Sequence, residues 1–181
     1  MRIQRNDTVL IAIDFQERLL PVIFEGDSVA AEAAKLIRGF EALGCPVLIT
    51  QQYTKGLGES VKEIQEARAS FSYIEKDTYS AMGEQAFASA LAETGRKTVV
   101  ICGIEAHVCV LQTALDLLEN GFNVFVALDS ISSRKAADKD AAVKRMIHAG
   151  IVPTTVESAL FELLDNDAKS DTFKAISRLV K

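Results

Sequence analysis

Residues 97–121 read KTVVICGIEAHVCVLQTALDLLENG, and this stretch carries the argument for the fold. Lys97 to Cys102 is a short run of mainly β-branched residues that breaks at Gly103. A strand without polar alternation is buried on both faces, as in a parallel sheet. From about Ala106 to Asn120 the residues Val108, Leu111, Leu115 and Leu118 recur at helical spacing, and Gly121 offers a stop. A buried strand followed by an amphipathic helix is the repeating unit of an α/β protein.

The same alternation extends in both directions. Thr8 to Ile13 (TVLIAI) reads as a fully buried strand with Asp14 at its end. A helix follows through Val29, Ala33, Leu36, Phe40 and Leu43, with Asp27 or Ser28 as its cap and Gly44 as its close. Pro46 to Thr50 is a second strand, and the polar stretch from Gln51 to Ser72 has the length of a site-shaping excursion. A weak strand from Tyr73 to Glu75 ends at Lys76, and Glu84 to Glu93 is a helix. Phe122 to Leu128 is a strand ending at Asp129 and Ser130, and Arg134 to Ala149 is a helix stopped by Gly150. Ile151 to Val156 is a short last strand, and two short helices, near Glu157 to Leu164 and Ser170 to Val180, follow it. With no repeat or linker to divide it, the chain is expected to be one domain over residues 1–181. Its fold would be a doubly wound, mainly parallel, Rossmann-like sheet of about six strands with helices on both faces. Ligands of such sheets bind beyond the carboxyl ends of the strands, where Asp14, Lys76 and the segment after Gly103 all fall.

Composition narrows the function. A net charge of −5 argues against a nucleic-acid partner, which favours a basic face. No apolar run approaches a membrane span and the first residues lack a signal-peptide core, so a cytoplasmic protein without a membrane partner is expected. Three cysteines (Cys45, Cys102, Cys109) are too few for a disulfide scaffold and read as free thiols. No nucleotide-binding glycine pattern, nucleophile elbow or metal-ligand cluster occurs. No cofactor and no metal are expected.

The chemistry falls to a few residues. Cys109 lies in the first turn of its helix, where the dipole and free N–H groups favour a thiolate and can hold an oxyanion. Equally, a cysteine there serves as a small buried hydrophobe. His107, two residues away, points to the opposite side and is not its base. His148 needs no more than a helix-terminal role. Asp14 is the carboxylate placed to act as base, with an Asx-turn as its plain alternative. Lys76, in the polar run EKDT, reads on its own as a solvated surface charge.

These segments resemble the isochorismatase-like cysteine hydrolase family. The likeness lies in IAIDFQ with Asp14 and Gln16, in GCPVLIT, in the lysine of IEKDTYSA, and above all in CGIEAHVCVLQTALDLLENG. It is greatest to the isochorismatase domain-containing subgroup. The resemblance implies a triad of Asp14, Lys76 and Cys109, and a cis peptide between Ile104 and Glu105. It also implies an oxyanion hole from the Glu105 and Cys109 backbone amides. Two departures stand out: His107 replaces a common threonine, and TQQYTKGLGES lacks the histidines with which nicotinamidases bind metal. The expected protein is a metal-independent hydrolase of a small amide or related carbonyl compound, acting through an acyl-enzyme. A vinyl-ether hydrolase and a catalytically idle binding protein are the alternatives. Gln16, Tyr53, Tyr79 and His107 are the candidate substrate contacts. A homo-oligomer is expected, from apolar residues on the C-terminal helices (Phe161, Phe173, Ile176, Leu179) and from the habit of the family.

Overall fold

The structure, a computed structural model, describes residues 1–165 and 169–181. Six strands form one sheet: β1 (Thr8–Ile13), β2 (Val47–Gln52), β3 (Ile74–Lys76), β4 (Thr98–Ile104), β5 (Asn123–Ser132) and β6 (Val152–Thr154). Their order is β3-β2-β1-β4-β5-β6 and every pairing is parallel. The doubly wound class read from the sequence is therefore the observed one, with the sheet wholly rather than mainly parallel.

Side-chain parity along the strands explains why helices cover both faces. Leu10, Ala12, Val100 and Cys102 face a core closed by α1 (Gly26–Ala42), α7 (Val156–Leu164) and α8 (Asp171–Leu179). Val9, Ile11, Ile13, Val99 and Ile101 face a second core closed by α4 (Gln85–Glu93), α5 (Leu111–Glu119) and α6 (Ala136–Ala149). All twelve of the β1 side chains and the β4 side chains up to Ile104 other than glycine are buried, which is why neither run alternates. Two single turns, α2 (Thr54–Leu57) and α3 (Lys62–Gln65), shape the polar excursion after β2.

Several boundaries differ from the sequence reading. β4 continues through Gly103 to Ile104, because Gly103 adopts φ +151° and absorbs a register shift against β5 between Ile101 and Gly103. A Cβ at Gly103 would stand 2.6 Å from Ile13 Cβ and 2.7 Å from Ile13 O, so glycine lets β4 pass close beside the residue preceding Asp14. β5 likewise runs on to Ser132. Helix α1 begins at Gly26 with no side-chain cap, so neither Asp27 nor Ser28 caps it; Asp27 lies in the first turn, where its charge suits the helix dipole. The last two helices are capped by Thr155 and Ser170.

Of the C-terminal apolar residues, Phe173 and Leu179 pack partly buried against the core, while Phe161 stays 38% exposed. Ile176 is fully buried, and Phe173 meets Phe161 edge-on with centroids 6.4 Å apart. The association argument drawn from these helices therefore rests on Phe161 alone. Among the described residues no helix is long and apolar enough to cross a membrane.

Candidate active site

Strand order reverses between β1 and β4, and the candidate residues gather at the carboxyl ends beside that point. Asp14 directly follows β1 with φ +55°, a conformation that aspartate tolerates better than most side chains. Its amide donates to Thr50 O (3.2 Å) and its carbonyl accepts from the Gln16 amide (2.8 Å). Thr50 Oγ1 donates to Asp14 Oδ1 at 2.7 Å. The other oxygen, Oδ2, lies 2.7 Å from Lys76 Nζ, and both side chains are completely buried. The three N–H groups of Lys76 go to other acceptors, so this contact is ionic, and Oδ2 has no hydrogen-bond partner among the described residues.

Lys76, which its polar neighbours assign to the surface, is instead 1% exposed. Parallel pairing sets it opposite Gln52, two residues beyond Thr50 on β2. Its ammonium donates to Gln52 Oε1 (2.7 Å), Thr78 O (3.1 Å) and Tyr79 O (3.3 Å). These acceptors are what make a buried ammonium tolerable.

Cys109 sits in a π-helical turn, Ala106–Val110, that leads into α5. The sequence reading had α-helix throughout; the wider turn is a form often found at functional sites. Glu105 caps it, its carbonyl accepting from Val108 and Val110, and the Ile104–Glu105 peptide is cis. The Cys109 thiol lies within hydrogen-bonding reach of the Asp14 carboxylate and the Lys76 ammonium. Burial, then the Asp14 charge, push the thiol up to about 12, with Lys76 opposing. This corrects the expectation of a dipole-favoured thiolate: a single turn's dipole is outweighed by desolvation and an adjacent anion. The resting group is a neutral thiol beside a carboxylate. Burial also raises the Cys45 and Cys102 thiols, with Arg5 and Arg96 opposing the shift at Cys45 and the Asp129 charge adding a lesser rise at Cys102.

The other candidates divide. His107 Nδ1 lies 2.9 Å from Ser133 Oγ, and so is engaged away from Cys109 as its place in the turn suggests. Gln16 is fully buried and its carboxamide is committed to backbone: Nε2 donates to Gln52 O (3.0 Å) and Gly58 O (2.8 Å), and Oε1 accepts from Gln52 N (2.7 Å). It anchors the loop after β2. Tyr53 and Tyr79 are 51% and 62% exposed, and their backbones, not their rings, touch Lys76. His148 is exposed in the last turn of α6.

Sequence reasoning missed Thr50, Gln52, Ser133 and Arg134, the last holding Glu105 Oε1 with its Nε at 2.6 Å. Thr50 and Gln52 share a side of β2 by parity, and their place at a strand end was the available signal. No three His, Cys, Asp or Glu side chains among the described residues lie together as an ion site.

The family model described as "Isochorismatase domain" matches residues 8–158. Isochorismatase domain-containing protein 1 of Salmo salar is 38% identical over 96% of this chain, which spans only 61% of that relative's length. Among solved structures, MAR1 ribonuclease from Caenorhabditis elegans superposes with a TM-score of 0.92 at 35% identity, covering 99% of this chain and 92% of that one. The ycaC gene product of Escherichia coli, described as an octameric hydrolase of unknown specificity, gives 0.91 at 26% identity, covering 99% and 90%.

Proposed function

The chain belongs to the isochorismatase family, and from that premise we propose that it is a metal-independent cysteine hydrolase of a small amide or related carbonyl compound. Cys109 Sγ attacks the carbonyl carbon while its proton passes to Asp14 Oδ2. The carbonyl oxygen gains the charge and is held by the backbone amides of Glu105 and Cys109. The C–N bond then breaks, and the amine leaves with the proton from Asp14. Water, deprotonated by the same carboxylate, attacks the thioester and restores the thiol. Lys76 remains an ammonium throughout, holding Asp14 in place and balancing the charge that moves.

The observation that carries this reading is the open acceptor position on a buried carboxylate within reach of a neutral thiol. Proton transfer then accompanies attack, with no standing thiolate required. Metal independence rests on the donors present: the end of β2 offers Gln51, Gln52 and Tyr53, and the cation beside Asp14 is the Lys76 ammonium.

The test is intact-mass analysis after incubation with a panel of small amides, with and without a chelator. An oligoribonucleotide arm is included because of the nematode structure's name. The expected result is an acyl mass gain on Cys109 that chelation leaves unchanged. RNA cleavage, or an adduct lost on chelation and restored by zinc, would sink the proposal. A silent panel would favour the vinyl-ether or binding-protein alternatives.

The same reading extends to assembly as a symmetric homo-oligomer. The octameric Escherichia coli neighbour supports it, as does the exposure of Val22 (58%) and Phe24 (42%) near the site. Light scattering is expected to give at least twice the chain mass, and a monomer mass at micromolar concentration would refute it.

A further inference from the structure

The neighbouring strands β2, β1 and β4 begin at the edge of the sheet opposite Asp14. Arg5 stands ahead of β1 there, and Arg96 ahead of β4. Arg5 Nε donates to Leu43 O at 2.6 Å, just past the end of α1, and Arg96 Nη1 donates to Arg5 O at 3.1 Å. The Cys45 thiol meets the same Arg5 carbonyl at 3.5 Å, and both guanidinium charges act on that thiol, so the two cations converge. Closing the carboxyl end of a helix accounts for one N–H of Arg5, but a guanidinium carries five. The other N–H groups of both arginines have no partner among the described residues. Neither arginine joins an ion pair there, unlike Arg68 with Glu41 and Arg134 with Glu105.

Both arginines line a cavity of about 690 Å³ whose wall also holds Arg2, Gly44, Glu162 and Asp165. That volume is the size of a small-molecule site and far exceeds a bare ion. Its two carboxylates already have duties: Asp165 Oδ1 pairs with Arg2 Nη2 at 3.3 Å, and Glu162 Oε2 accepts from the Ile3 amide at 2.7 Å. Glu162 Oε1 has no partner among the described residues, and a carboxylate oxygen accepts from a hydroxyl. The cavity thus combines donors for an oxyanion with an acceptor for hydroxyls. Its carboxylates also repel a ligand that is anionic along its whole length.

We propose that this cavity is a second binding site, for a sugar or polyol phosphate, with the phosphate on Arg5 and Arg96 and a hydroxyl on Glu162. The planar guanidinium fork matches phosphate oxygens two at a time. The six residues of β1 separate the site from Asp14, about 20 Å at roughly 3.3 Å per residue. The inference is therefore independent of the part assigned to Cys109.

Isothermal titration calorimetry at fixed ionic strength tests it. The probes are the terminal phosphates of glycerol, ribose and glucose, their unphosphorylated parents, and inorganic phosphate. At least one of the three phosphates is expected to bind with a Kd below about 1 mM, and at least tenfold more tightly than its parent or inorganic phosphate. Arg5→Gln and Arg96→Gln are each expected to weaken that binding about tenfold or more, the scale of a hydrogen bond to a charged group. Cys109→Ala is expected to leave it unchanged. A thermal melt like that of the wild type qualifies each variant, and Arg96→Gln, which leaves the α1 contact in place, carries the test if Arg5→Gln unfolds. Saturation by none of the three phosphates, or unchanged affinity in whichever arginine variant folds, would overturn the inference. So would inorganic phosphate binding as tightly as the best of the three. Binding lost in Cys109→Ala would place the ligand at the other edge of the sheet and overturn it too.

Discussion

Cys109→Ala protein is expected to keep its fold and to lose turnover by about 10⁶-fold, the scale on which removing the nucleophile disables a covalent hydrolase. The fold should survive because the change deletes one buried atom from the edge of a core rather than its centre; a stability loss of about 1 kcal/mol is the expected order. Turnover should vanish because Asp14 then has no thiol to deprotonate and the acyl group has no acceptor. Rates are to be measured on whichever amide the mass panel identifies, beside a thermal melt of both proteins. Cys102→Ala is the comparison: Cys102 is fully buried in the opposite core and should affect stability without entering the chemistry. Substantial turnover in Cys109→Ala would place the nucleophile elsewhere.

The largest expected effect on stability belongs to Lys76. Asp14 and Lys76 are both fully buried 2.7 Å apart, so removing either leaves an isolated charge in a site built for two. Breaking such a pair costs about 3–5 kcal/mol, whereas replacing both partners with neutral groups is often close to harmless. Lys76→Met should therefore lower the free energy of unfolding by about 3–5 kcal/mol. The double variant Asp14→Asn with Lys76→Met should recover most of that loss in urea denaturation while remaining inactive. Two losses that simply add in the double variant would show that the pair is not coupled as its distance implies.

How much of this was legible in the sequence depends on which physical rule each residue obeys. Asp14 was legible because a polar residue ending a fully apolar strand is unusual, and the buried β1 made the strand unmistakable. Lys76 was not legible from its neighbours, because β3 is only three residues long and its environment comes from β2 beside it. The family resemblance, not the local pattern, pointed to it. The protonation state of Cys109 was misjudged because the helix dipole can be seen in a sequence whereas the depth of burial and the neighbouring carboxylate cannot. Gln52 escaped notice for a related reason: one carboxamide among several polar residues gains its meaning only once Lys76 has bonded to it. β4 ran past its expected limit because Gly103, taken as a break, instead carries a register shift, and β5 pairs on beside it through Ser132, past the Asp129 and Ser130 where it was expected to end.

The order of the sheet also bears on how the protein is made. β1 is the first of the six strands to leave the ribosome, yet it ends up in the middle, between β2 and β4. β2 follows it closely, but β4 does not begin until Thr98. At synthesis rates of about 5–20 residues per second, the 85 residues from Ile13 to Thr98 take roughly 4–17 s to appear. Through that interval the most apolar segment of the chain has one unpaired edge and an uncovered face. Asp14 at its tip is meanwhile without the thiol it will stand beside, and it must wait until the chain has grown to Cys109.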